Sequence, residues 1–368
     1  MMSMPQKRWT LIIIVTVLLF CGTYVVSHFY RFLISPLSST QTFRVLVEPG
    51  TSVHHLLKDL HTKGYMPHPR FFLVLAYLKG ATDKLKPGEY QVDAGTTPSQ
   101  LLDKIMAGKA IFYRFTIVEG WTFSQLMAAL NHVMVIKHQL NLHSPEPILA
   151  QLGFPPRNPE GLFYSATYYF STDTTDSELL KWSYLLLKKK LQAAWKNRAA
   201  HLPYRTSYHA LIAASLVEKE TAIAKERPMI AGVIERRLKA GIPLQIDASV
   251  IYGLGMHYTG KLTIEDLHHD TPYNTYLRKG LPPTPIANPS YASLEAVLHP
   301  DHRKNLYFVA KGDGTHQFSE DLTEHNWAVQ RYQLNQHYPY VKKTKPCQRF
   351  WYMSQSMRLF FCQLNEFR

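Results

Sequence analysis

The sequence predicts an α+β chain: an N-terminal transmembrane helix, a small α+β domain and a larger mixed α/β domain. Three observations point there. The run from Trp9 to Tyr30 contains no Lys, Arg, Asp or Glu. Three later segments repeat one strand, turn and helix pattern, and beyond residue 113 helical patterns alternate with turn-rich stretches. At 368 residues and 46% hydrophobic composition, the chain can bury a sizeable core in two or three domains.

As a helix, residues 9–30 are about 33 Å long, enough to cross a bilayer once. Lys7 and Arg8 precede the run and Arg31 follows it, a slight positive bias that places residues 1–8 in the cytoplasm and everything after Arg31 outside. No small-x-small cleavage site follows promptly, and bulky Phe20 precedes Cys21, so an uncleaved anchor is expected rather than a signal peptide or a lipidated cysteine. The net charge of +14 suits nucleic acid, an anionic membrane or an acidic polymer, and export argues against nucleic acid. With Cys21 in the anchor, Cys347 and Cys362 remain as one pair or two free thiols. The histidines lack zinc-ligand spacing: His54-His55 and His268-His269 are adjacent, and His299 and His302 flank Pro300. No metal or other cofactor is expected.

The repeated segments are Glu48-Pro-Gly-Thr-Ser-Val-His-His-Leu-Leu-Lys-Asp-Leu60, Asp93-Ala-Gly-Thr-Thr-Pro-Ser-Gln-Leu-Leu-Asp-Lys-Ile105 and Val118-Glu-Gly-Trp-Thr-Phe-Ser-Gln-Leu-Met-Ala-Ala-Leu130. Each aligns a Gly, a hydroxyl residue and apolar residues four apart, which reads as a strand, a Gly-enabled turn, a hydroxyl N-cap and a short amphipathic helix. Phe43-Arg-Val-Leu-Val47 and Phe112-Tyr-Arg-Phe-Thr-Ile-Val118 supply strand-like flanks. The first segment resembles the LysM module, a small glycan-binding fold. Residues 41–113 are then either a membrane-proximal LysM-like domain that touches sugar polymer or a spacer above the bilayer.

A larger domain, 114–340, carries helical segments at 177–199, 207–240 and 291–299, broken by turn-rich stretches near 141–156 and 271–289. Leu180, Tyr184, Leu187, Leu191 and Ala194 form one stripe, leaving Lys188, Lys189 and Lys190 as the solvated face of that helix. Residues 341–368 form a basic and aromatic tail, either an interfacial helix or a segment packed on the chain's own core.

One residue stands out chemically. The apolar run Leu211-Ile-Ala-Ala-Ser-Leu-Val217 turns charged at Glu218, which shares a helical face with Leu211, Ala214 and Ser215. A carboxyl on a small or apolar face is costly to ionise and suited to giving up a proton, unless Glu218 is simply the first solvated residue past a core helix. Downstream, Gly241-Ile-Pro-Leu-Gln-Ile-Asp247 places Gln245 and Asp247 on one side of an extended segment. Pro272-Tyr-Asn-Thr-Tyr276 then offers Tyr273 and Tyr276 as rings that stack on sugars or pack, and Asn274 as an amide that matches sugar polar groups.

Ala214-Ser-Leu-Val-Glu-Lys-Glu-Thr221, Pro243-Leu-Gln-Ile-Asp247, Pro272-Tyr-Asn-Thr-Tyr276, Gly280-Leu-Pro-Pro-Thr-Pro-Ile-Ala-Asn-Pro289, Leu306-Tyr-Phe-Val309 and His316-x-Phe-Ser319 follow in order. This succession closely resembles the endolytic murein (peptidoglycan lytic) transglycosylases, the YceG-like family, from about residue 41 to 335. The resemblance implies a lyase of the inner membrane, with an extracytoplasmic catalytic domain that cuts peptidoglycan glycan strands internally. The bond joins N-acetylmuramic acid to N-acetylglucosamine, no water is consumed, and the 1,6-anhydro ends limit strand elongation. Cell-wall synthases, the penicillin-binding proteins, are the implied partners. The family's catalytic glutamate matches Glu218, as acid and then base; Gln245, Asp247 and Asn274 are expected to orient substrate or stabilise charge, with Tyr273 and Tyr276 stacking or packing. The alternatives are a hydrolytic muramidase with Asp247 as second carboxylate, or a glycan-binding scaffold that recruits synthases. This chain departs from the family pattern in Glu160-Gly-Leu-Phe-Tyr-Ser-Ala-Thr-Tyr168, where Ser165 and Ala166 replace the usual Pro and Asp, and at Ala248-Ser249, where Pro-Thr is common.

Overall fold

The structure, a computed structural model, describes residues 4–38, 40–82, 84–141 and 146–334. The tail at 341–368, with Cys347 and Cys362, lies outside the described residues, as do the side chains of Lys7 and Arg8. The chain divides into two compact units. One comprises Met1–Arg114, Val135–Lys137 and Tyr169–Thr174; the other comprises Phe115–Met134, His138–Tyr168 and Thr175–Arg368.

The first unit begins with helix α1 (Met4–Ile34), which overruns the charge-free run at both ends. Its stretch Leu11–Ile34 is the one helix among the described residues long and apolar enough to cross a membrane, a property shared by membrane spans and signal sequences. Strand β1 (Phe43–Val47), helices α2 (Val53–Thr62) and α3 (Pro69–Leu78), strand β2 (Gly88–Val92) and helix α4 (Pro98–Ala107) follow. The strands pair antiparallel, Phe43 opposite Val92 and Val45 opposite Tyr90, so strand alternation turns Phe43, Val45, Val47, Tyr90 and Val92 inward. Leu56, Leu60, Phe72, Leu75, Leu101 and Ile105 from the three short helices fill the same core.

The remaining elements are β3 (Tyr113–Thr116), α5 (Phe123–Asn131), α6 (Ile148–Gln151), β4 (Thr167–Phe170), α7 (Asp176–Lys196), α8 (Ser207–Glu220), α9 (Arg227–Ala240), α10 (Asp247–Leu254), α11 (Ile264–His268), α12 (Tyr291–Leu298), β5 (Tyr307–Ala310), β6 (His316–Ser319) and α13 (Leu322–Tyr332). β3 pairs with β4 and β5 with β6. All three repeated segments form the expected units. Gly50, Gly95 and Gly120 take φ of +80°, +86° and +77°, which glycine adopts without strain, and Ser52, Thr97 and Thr122 cap α2, α4 and α5.

α8 is the central helix of the second unit. Every side chain from Ala210 to Val217 is buried, with α7, α9, α10 and α12 packed around it. Ala213, Ala214 and Ser215 are small enough to admit those neighbours closely. The 207–240 segment, expected as one helix, is two. Thr221 turns extended at φ −146°, and Pro228, whose ring and missing N–H suit only a first helical turn, restarts the helix as α9. Lys188, Lys189 and Lys190 are exposed on α7, as their spacing requires.

Candidate active site

Glu218 lies in the last turn of α8, half-buried. One turn earlier, the buried Ser215 hydroxyl donates to Ile212 O at 2.7 Å and accepts from Ile286 N at 3.1 Å, which pins the proline-rich loop 280–289 to the helix. That loop delivers Ser290, the N-cap of α12. Ser290 N–H (3.0 Å), Ser290 Oγ (2.5 Å) and Ser293 Oγ (2.6 Å) all donate to Glu218 Oε2. The expected small, apolar surroundings are therefore corrected: three donors and the positive end of the α12 dipole meet one carboxyl oxygen. Oε1 accepts no hydrogen bond from any described residue.

The turn after β3 closes over this carboxyl. A Cβ on Gly120 would stand 3.9 Å from Glu218 Cγ, and Lys219 Nζ reaches Gly120 O at 3.5 Å. Gly120 N donates to Asn288 O and Asn288 N to Trp121 O, each at 2.8 Å, so the turn and the proline-rich loop are clamped together. This brings in a second acid, Glu119, which the sequence reading missed. Low polarity around its carboxyl, then the nearby Glu218 charge, push Glu119 above the usual carboxylate range, and Arg227 pulls it back. Glu119 does differ in position, standing directly before its turn glycine where the other repeats have Pro49 and Ala94, but that difference alone does not point to Glu218.

Glu160 braces the same turn from below. It is buried and accepts from Phe123 N (2.8 Å) and Tyr252 Oη (3.0 Å). Burial raises its carboxyl and those hydrogen bonds lower it. The adjacent Gly161, at φ +72°, has no room for a side chain: a Cβ would lie 2.4 Å from Pro285 Cβ. Asn288 is fully buried and accepts from Phe163 N through Oδ1. The segment at 160–163 thus supports the loop that supports Glu218.

The other expected site residues form a second group. Tyr276 Oη donates to Asp247, and the Asp247 charge acts on both Glu220 and Tyr276. Burial, then the Asp247 charge, push Glu220 up to about 8 from an ordinary 4.5. Asp247 is exposed along part of its side chain, yet the low polarity at its carboxyl raises it while Tyr276 lowers it. Between pH 4.5 and 8 the folded chain holds a proton on Glu220 that the unfolded chain releases, so this group's stability is present below 4.5 and lost as pH rises through 8. Glu220→Gln is accordingly expected to melt higher than the parent at pH 8.5, with the difference vanishing below pH 4.5 in thermal unfolding scans.

Gln245 sits at φ +56°, a left-handed conformation strained for a residue with a side chain, with Oε1 accepting from Arg237 Nη1 at 3.2 Å. Asn274, expected to orient substrate, is instead fully buried; its Nδ2 donates to Leu267 O (2.9 Å) and His269 O (2.8 Å), and its Oδ1 accepts from Tyr276 N (2.9 Å). Its amide has no free group for a sugar and holds the loop instead. Tyr276 is likewise buried and packs with Val250, Leu254 and Leu267. Tyr273 is half-buried, edge-on to Tyr252 at 4.8 Å, with Oη 2.9 Å from Thr284 Oγ1. The expected second carboxylate, Asp247, lies by Glu220, and the carboxylate near Glu218 is instead the unexpected Glu119.

Among the described residues no group of three His, Cys, Asp or Glu side chains is placed to hold a metal. Two surface cavities lie elsewhere in this unit: one of about 650 Å³ beside His302, Arg303, Lys304 and His316, and one of about 440 Å³ beside Tyr208, Leu281 and Pro282. Glu218 lines neither.

Residues 45–331 match the YceG-like family. An endolytic murein transglycosylase of Bacillus subtilis is 31% identical over 313 residues, covering 80% of this chain and 86% of the relative. One of Streptococcus pneumoniae is 28% identical over 306 residues, covering 74% of this chain but only 55% of the relative. A YceG-like protein of known crystal structure from Listeria monocytogenes is 28% identical, with a TM-score of 0.49 and alignment over 78% of this chain and 99% of that one. The chain belongs to the YceG-like family.

Proposed function

We propose that this chain is a lyase of peptidoglycan: a membrane-anchored endolytic transglycosylase that leaves 1,6-anhydro-N-acetylmuramic ends and so limits strand elongation. The family membership and the names of its relatives support the enzyme class. The observation that carries the mechanism is the asymmetry of Glu218, with one oxygen held by three donors and the other unengaged by any described residue. Protonated on Oε1, Glu218 donates to the glycosidic oxygen, and the C1–O bond breaks with the leaving sugar taking the proton as its 4-hydroxyl. The charge left on the carboxylate falls on Oε2, where Ser290 and Ser293 already point. The same carboxylate then takes the proton of the muramyl 6-hydroxyl as O6 closes on C1. Gln245, Asp247 and Tyr273 are the proposed sugar contacts, with Asn274 and Tyr276 shaping the loop that presents them.

α1 is read as an uncleaved anchor of the cytoplasmic membrane, with the N-terminus inside and the catalytic region outside. Its last turns support this, since Phe32 is buried in the core of the first unit, which a cleaved segment would abandon. The β-α-α-β order of β1, α2, α3 and β2 supports a LysM-like reading of the small unit and hence contact with glycan. Cell-wall synthases are the proposed partners.

Glu119 favours one competing reading, a hydrolytic muramidase, because hydrolysis uses two carboxyl groups flanking the bond. Full-length protein in detergent, incubated with glycan strands, is expected to yield anhydro ends by mass spectrometry. Under the lyase reading Glu119→Gln keeps that product with kcat/KM within about tenfold, a loss of about 1.4 kcal/mol in transition-state binding. Reducing ends that disappear in Glu119→Gln would establish the hydrolase instead.

A further inference from the structure

The three short helices of the first unit share a length of ten residues but not a surface. α2 shows solvent His54, His55, Lys58 and His61, and α4 shows Gln100 and Asp103. α3 is different. Its segment Phe71-Phe-Leu-Val-Leu-Ala-Tyr-Leu78 carries no charge, and packing Phe72, Leu75 and Ala76 into the core leaves Val74, Tyr77 and Leu78 outside, with 48%, 78% and 69% of their surfaces exposed. Spaced by three and four, these side chains form one stripe, and Arg70, four residues before Val74, continues it. Contiguous exposed apolar side chains of this kind mark contact with a membrane or another molecule.

Its position in the unit says which. The Phe71 ring, in the first turn of α3, lies 5.8 Å from Phe29 and 5.7 Å from Phe32 of α1. Those two residues bracket the point where the charge-free run ends and Arg31 follows. The 24-residue stretch Leu11–Ile34 is about 36 Å long against about 30 Å of hydrocarbon, so its last turn emerges at the bilayer surface. α3 therefore starts at the depth where α1 leaves the apolar layer. Tyrosine and arginine at the ends of an apolar stripe are the side chains that favour that boundary.

We infer that α3 is a second membrane contact, with Val74, Tyr77 and Leu78 set among lipid acyl chains of the outer leaflet and Arg70 at the level of the phosphates. The inference rests on reading α1 as a membrane anchor. Two attachments of this kind fix the small unit's orientation on the bilayer, where a single helix would leave it free to turn.

The test uses the full chain with Cys21, Cys347 and Cys362 replaced by serine, reconstituted in phosphatidylethanolamine and phosphatidylglycerol vesicles. A nitroxide is placed singly by Leu78→Cys, by Val17→Cys within α1 or by Lys58→Cys on the solvent face of α2. Collisional relaxation by oxygen, which enters lipid, is compared with that by a water-soluble nickel chelate. The Leu78 label is expected to behave like Val17, losing nickel relaxation and gaining oxygen relaxation, with Lys58 the reverse. If Leu78 follows Lys58 while Val17 stays in lipid, the α3 contact is wrong and the anchor stands. If Leu78 is shielded from both reagents, a protein partner covers the stripe and the inference fails. Nickel access at Val17 overturns the anchor and the α3 contact together.

Discussion

Glu218→Gln is expected to lower turnover of glycan strands by about 10³-fold or more, the scale on which a positioned general acid–base group contributes. The substitution is conservative for the fold. The amide oxygen can keep the Oε2 position and accept from Ser290 and Ser293, while the amide nitrogen takes the unengaged Oε1 position. The melting temperature should therefore stay within a few degrees of the parent, and substrate retention on insoluble peptidoglycan should persist. Both steps fail together because one carboxyl serves as acid and then as base; neither a proton for the leaving oxygen nor an acceptor for the 6-hydroxyl remains.

Arg237→Met is expected to give the largest loss of stability. Arg237 is buried in α9, with Nε donating to Leu306 O at 2.7 Å and Nη1 to Pro243 O (3.0 Å), Leu244 O (2.9 Å) and Gln245 Oε1 (3.2 Å). Its guanidinium also lies over the Tyr307 ring at 4.9 Å. Methionine fills much of the volume but leaves those buried acceptors without donors, at about 1–3 kcal/mol for each one that water cannot reach. A total of about 3–5 kcal/mol corresponds to a fall of roughly 10 °C in melting temperature for a unit of this size. Gln245 makes the effect functional as well as structural. Its strained φ of +56° persists only while its surroundings enforce it, and the Arg237 fork is part of that enforcement. Arg237→Lys, which keeps a charge but loses the planar fork, should recover only part of the stability.

What the sequence made legible was local. Caps at Ser52, Thr97 and Thr122, the glycine turns before them and the charge-free run of α1 act within a few residues, so spacing alone identifies them. Glu218 was legible as a position, since helical periodicity fixes its face, but not as an environment. Its donors lie 72 and 75 residues away at the start of α12, and Glu119 reaches it from a turn 99 residues earlier in the chain, a proximity that no local spacing reveals. Residue type also misled at Asn274, which looks like a sugar contact in a motif but is buried as a loop support, while Tyr276 takes the packing role of the two that its type allows. Arg237 sits in the charged run Glu235-Arg-Arg-Leu-Lys239, which reads as a solvated helix face until the Leu306 carbonyl before β5 and the 243–245 turn fold onto it.

The central claim is that one carboxyl, Glu218, cleaves the strand without water. Its most direct test is mass spectrometry of glycan strands digested in H₂¹⁸O by the full-length protein and by Glu218→Gln. The expected result is anhydro-ended fragments free of ¹⁸O from the parent and none from the variant. Reducing ends carrying ¹⁸O from the parent, or anhydro ends that persist in Glu218→Gln, would contradict it.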